Sequence, residues 1–167
     1  MKKTFSIVIL LIGTIVLSQE NKLEKLDNIV NSIEKEEDLK LTEFDWTKLT
    51  NINTDGGGIL RVWKNETEIC KIVEEIGLSY GRIRTIIYLE NEKPVKIIET
   101  EENFERKNNE LNYNKLKEVF KAEIYVFDWE NDKREIIRTG RRNMSEGNCS
   151  TFDYESIIER AKKAVKK

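Results

Sequence analysis

Between Gly56 and Phe104 the chain divides into four short runs rich in Ile, Val, Tyr and Trp: Ile59 to Lys64, Glu68 to Ile76, Arg82 to Glu90 and Pro94 to Thr100. Polar or glycine-bearing turns separate them, and runs of this kind so punctuated predict a β-meander. In the third run Ile83, Ile87 and Leu89 fall on one side of a pleated strand and Ile86 and Tyr88 on the other. Both faces therefore carry apolar groups, as in an interior strand covered on two sides. Pro94, the only proline, stands at the start of the fourth run, where a missing N–H costs least.

Outside this block the pattern changes. Leu23, Leu26, Val30 and Ile33 recur every three or four residues among charged neighbours, predicting an amphipathic helix from about Lys22 to Glu37. Leu39 to Leu49 is read as either a strand or an irregular packing segment. Lys121 to Trp129 alternates strongly enough to predict a further strand, and Lys133 to Thr139 its hairpin partner. From Ser150 to Lys167 an apolar stripe of Tyr154, Ile157, Ile158, Ala161, Ala164 and Val165 predicts a second helix, with Ser150, Thr151 or Asp153 as its cap. The fold class that follows is α+β: an antiparallel meander of about five to six strands flanked by N- and C-terminal amphipathic helices.

The first 18 residues stand apart. Lys2 and Lys3, the apolar run Phe5 to Leu17 and the small residue Ser18 have the layout of a secretory signal peptide. The run falls short of the roughly 20 apolar residues of a transmembrane helix. A signal at 1–18 and one α+β domain at 19–167 are therefore expected, with the mature protein periplasmic or secreted and without a membrane span. The signal holds two of the 29 basic side chains and none of the 31 acidic ones. A mature chain with an acidic excess is not built for nucleic acid, whose binding relies on surplus Lys and Arg.

Export brings the chain where disulfides persist, so Cys70 and Cys149, the only two cysteines, are expected to pair. The chain has no histidine, which removes the Ser-His-Asp and Cys-His nucleophile arrangements and histidine-ligated zinc. Asn51, Asn53 and Asp55 before Gly56 outline the opening of a calcium loop, but the twelfth position is Val62, where a bidentate Glu is needed. No metal or other cofactor is expected.

Two clusters carry candidate chemistry. Arg138, Arg141 and Arg142, with Ser145 close behind, concentrate guanidinium forks suited to an anionic ligand or an acidic protein surface. Glu99, Glu101, Asp128 and Glu130 are carboxylates that could act in pairs on glycans, provided two of them face each other across a cleft.

The Gly56-Gly57-Gly58 entry to a strand, Leu78-Ser-Tyr-Gly-Arg82, then Tyr88-Leu89 and Pro94-Val-Lys-Ile-Ile-Glu99, behind a short signal ending before Gln19, resemble small exported proteins of unknown function from Gram-negative bacteria. The resemblance covers about Gly56 to Phe104. It implies an exported bacterial α+β protein and carries no activity, cofactor or site residue. The function expected from the residues is a non-enzymatic binding or inhibitor module, of the immunity type, taking a protein partner or an anionic ligand at the arginine cluster. A carboxylate-dependent hydrolase of glycans and an envelope structural or assembly component are the alternatives.

Overall fold

The computed structural model describes residues 21–108, 110–142 and 154–166. The expected signal at 1–18, Ser145, Cys149 and the capping residues Ser150, Thr151 and Asp153 lie outside them. Among the described residues seven strands form one antiparallel sheet: β1 (Lys40–Asp45), β2 (Gly58–Lys64), β3 (Ile69–Leu78), β4 (Gly81–Glu90), β5 (Lys93–Lys107), β6 (Glu110–Asp128) and β7 (Lys133–Gly140). Every strand pairs with its sequence neighbours, in the order β1-β2-β3-β4-β5-β6-β7.

The sheet is thus a meander, with more strands than the five or six expected. The additional strand is β1, the first half of the segment left open between strand and irregular packing. The second half turns into a short helix, α2 (Trp46–Thr50), where the Asp45 side chain caps the start by accepting from the Lys48 N–H. The polar stretch from Arg106 to Asn114 is the distal end of a long β5–β6 hairpin. Its alternation is masked because it projects into solvent, with Tyr113 exposed and edge-on to Phe104, ring centroids 5.1 Å apart.

Helices cover the sheet on opposite faces and only in part. On one face, α3 (Tyr154–Ala164) seats Tyr154, Ile157, Ile158, Ala161 and Ala164 against Leu60, Val62, Ile72, Ile87, Ile97 and Ile124. The other face receives α1, described over residues 21–35, whose Leu26, Ile29, Val30 and Ile33 pack on Ile86, Tyr88, Val95 and Ile98. Ile87 belongs to the first layer while Ile86 and Tyr88 belong to the second, as strand alternation requires. Two polar clamps fasten α1. Lys96 donates to Asp27 at 2.7 Å and to the Tyr125 hydroxyl at 2.8 Å, and Glu34 accepts from Lys71 and from the Tyr88 hydroxyl, both at 2.6 Å.

The expected Cys70–Cys149 disulfide is not seen. Cys70 is a free, buried thiol. It sits at a bulge in β3, on the α1 face beside Ile33, Tyr88 and Val95. β7 ends at Gly140, and Arg142, two residues on, is bonded to Glu99 on the α3 face. Burial pushes the thiol pKa up, so Cys70 behaves as a small apolar packing residue.

Candidate functional site

Three transverse rows of side chains cross the α3 face of the sheet. The first, Val62, Ile72, Ile87, Ile97, Ile124 and Ile136, runs from β2 to β7 and is wholly aliphatic. The second, Leu60, Glu74, Thr85, Glu99, Ala122 and Arg138, is polar at its centre. The third continues through Ile76, Ile83, Glu101, Phe120 and Gly140. Glu74, Glu99 and Glu101 are all buried, with Glu99 only 1% exposed.

Buried carboxylates are tolerated where hydrogen bonds and counter-charges replace water. Glu74 accepts from the Trp46 indole N–H at 2.8 Å and pairs with Arg160 of α3. Glu99 accepts from the Tyr154 hydroxyl at 2.8 Å and from Arg142. Burial still dominates: it pushes both carboxyls above their ordinary range, against the pull of Arg160 and Trp46 on Glu74 and of Tyr154 and Arg142 on Glu99. Burial and the Glu99 carboxylate push the Tyr154 hydroxyl strongly upward, so it stays a donor.

Beside this polar row the α3 face opens, over β6 and β7, into a groove of about 560 Å³. Phe120, Ala122, Ile124 and Ile136 form its floor; Arg134, Arg138, Arg141 and Arg142 surround it, and Tyr154 closes the end nearest α3. No carboxylate is among its described lining residues. The alternation of β7 puts Arg134, Ile136, Arg138 and Gly140 along the groove in turn. Gly140 has φ +74° and lies against the Val119 carbonyl, 2.0 Å from where a Cβ would stand, so only glycine fits this end of β7.

The structure brings Arg138, Arg141 and Arg142 together around this groove, whereas Ser145 is outside the described residues. Arg142 differs from Arg138. Its guanidinium is bonded to Glu99 and stacks over Phe120, 4.5 Å from the ring centroid. Arg138 is exposed and absent from every described ion pair. Arg134 had no prior signal as a site residue, although its spacing from Ile136 and Arg138 is the period of a strand. Arg134 pairs with Asp132 at 3.1 Å, both side chains exposed.

The candidate carboxylates are not gathered across a cleft. Glu99 and Glu101 share one face of β5 within the covered layer, while Asp128 and Glu130 sit at the β6–β7 turn, where Asp128 bonds Asn131 and Glu130 accepts from Lys93. Among the described residues no group of three or more His, Cys, Asp or Glu side chains is placed to hold a metal ion. None of the described helices is long and apolar enough to cross a membrane. Comparison with protein-family models, with curated proteins and with solved structures gives no significant match.

Proposed function

We propose that the protein is an exported, non-enzymatic binding module of the inhibitor or immunity type, which holds an acidic, partly apolar surface of a partner protein in the groove over β6 and β7. The observation that carries this reading is the composition of the groove: four arginines around an apolar floor, on a chain whose overall charge is −2. Planar guanidinium groups bind carboxylates through two parallel hydrogen bonds, and desolvated arginines and aromatics supply much of the binding energy at protein interfaces. The floor belongs to a seven-stranded sheet and Arg142 is already fixed by Glu99 and Phe120. This part of the site does not have to be ordered on binding, which lowers the entropic cost. Export rests on the charged and apolar segment at 1–18.

The full chain should be recovered from its native host under non-denaturing conditions and weighed by native mass spectrometry, beside an Arg134→Ala/Arg138→Ala variant. The expected species lacks residues 1–18 and carries a stoichiometric acidic protein that the variant loses. A companion retained unchanged by the variant, or a lone monomer for both, overturns the proposal.

A further inference from the structure

Resting on the binding reading above, we infer that the partner enters as an extended strand added to the open edge of β7, with carboxylates opposite Arg134 and Arg138 and an apolar side chain opposite Ile136. Several observations converge on this edge. In the strand order of the described residues β7 is terminal, so none of them adds a strand on its outer side. Alternate backbone N–H and C=O groups of such a strand point outward, which is the template used when a peptide extends a sheet. Every residue of β7 except Glu135 is exposed, including Ile136 at 36% and Ile137 at 42%. The residues facing the groove are Arg134, Ile136, Arg138 and Gly140.

Strand geometry converts that spacing into a recognition pattern. Side chains directly opposite each other on one face of paired strands lie about 4.5–5.5 Å apart at Cβ and interact as pairs. An added strand therefore places three successive same-face residues against Arg134, Ile136 and Arg138, and the complementary pattern is acid-x-apolar-x-acid. The pattern is symmetric about its centre, so it fits either strand direction.

The other edge offers no equivalent. On the groove side of the sheet β1 presents Lys40, Thr42 and Phe44, a single cation at one end rather than a pair flanking an apolar residue, while Glu43 faces away and is held by Arg61 at 2.8 Å. A second copy of β7 is a poor occupant as well: antiparallel pairing centred on Ile136 would set Arg134 of each copy opposite Arg138 of the other, and like charges directly opposed are destabilising. In that register the edge is guarded against itself, whereas an acidic strand meets no like charge there.

The probe is an acetylated and amidated nine-residue peptide with the central sequence Glu-Thr-Val-Thr-Glu, titrated into the full chain by calorimetry with amide hydrogen exchange followed along β7. Three relatives of the peptide accompany it: one with lysine for both glutamates, and two N-methylated on one or the other alternating set of backbone amides. The lysine peptide is expected to bind at least tenfold more weakly. One N-methylated peptide should lose binding to a similar extent while the other keeps it, and the β7 amides should gain protection with the parent. Equal binding of the two methylated peptides overturns strand addition while leaving the groove reading in place. Absence of parent binding at millimolar peptide, or self-association of the peptide-free protein through β7, also overturns it. The groove reading itself stands or falls separately, on whether the native companion depends on Arg134 and Arg138.

Discussion

Tyr154 Oη donates to Glu99 Oε2 at 2.8 Å, joining the first turn of α3 to the middle of β5. Both side chains are buried, and the same carboxylate is bound by Arg142 at the mouth of the groove. One buried acid therefore fixes both the helix that covers the sheet and an arginine that borders the candidate site. Packing and binding geometry share an anchor.

Tyr154→Phe removes the hydroxyl and keeps the ring. Glu99 is then left with one fewer donor in a place that water does not reach, a loss of about 1–3 kcal/mol for an unsatisfied buried group. Denaturant unfolding should show that loss as a lower midpoint with an unchanged slope. A midpoint equal to that of the wild type would show that the bond contributes nothing net.

The raised carboxyls also set a pH dependence. Glu74 and Glu99 have an ordinary value of 4.5 and are held above it in the folded chain, chiefly by burial. Between 4.5 and the raised values the folded state binds more protons than the unfolded one, so the stability contributed by these groups falls as pH rises through that window and is regained below it. Glu34, whose pKa is lowered because Lys71 and Tyr88 outweigh burial, acts in the opposite sense and only below 4.5. The difference in unfolding free energy, wild type minus Glu99→Gln, should therefore grow as pH is lowered from neutrality toward 4.5. A difference that shrinks over this range contradicts the assignment.

The interior strands are legible in the sequence because they are two-faced: Ile86 and Tyr88 against Ile87 and Leu89 can be told from the pattern alone. β1 is not, since an edge strand with only Phe44 and the adjoining Trp46 packed inward leaves too little alternation. Nor is the outer part of the β5–β6 hairpin, where solvent on both faces removes the apolar signal. The polar row deceives for another reason. In Ile72-Val-Glu74-Glu75-Ile76 and Ile97-Ile-Glu99-Thr-Glu101, Glu74, Glu99 and Glu101 stand at the inward positions of a period-two pattern, yet a carboxylate in a sequence suggests solvent, and the covering partners, Arg160 of Glu74 and Tyr154 of Glu99, come from a helix more than 50 residues later. The arginine cluster is visible as composition. That Arg142 is tied into the core while Arg138 is exposed depends on tertiary contacts that no local pattern encodes.

One of the two polar clamps on α1 rests on a buried cation. Lys96 is 7% exposed at its side chain and meets Asp27, Tyr125 and Glu123. Burial opposes its charge, but the bonds to Asp27 and Tyr125 outweigh that and raise its pKa. Lys96→Ala empties this volume and removes the cation paired with Asp27, which keeps the Tyr125 hydroxyl at 3.2 Å, is 42% exposed and can be rehydrated. The cost should be about 2 kcal/mol, below the 3–5 typical of breaking a fully buried pair. Hydrogen exchange should show the loss concentrated in α1, and uniform loss across the sheet would contradict a local clamp.

Arg142 and Arg138 should separate when each is replaced by alanine. Removing the Arg142 guanidinium exposes Phe120 on one side and leaves Glu99, 2% exposed at its side chain, with a charge no longer paired to it. Breaking such a pair is expected to lower stability by about 3 kcal/mol. Arg138 has no described ion pair and its side chain is exposed in the groove, so Arg138→Ala should change stability by less than about 0.5 kcal/mol. Thermal and denaturant unfolding of the two variants tests the distinction directly. Equal losses would mean that Arg138 is also part of the core, and its role as an available cation for a partner would have to be abandoned.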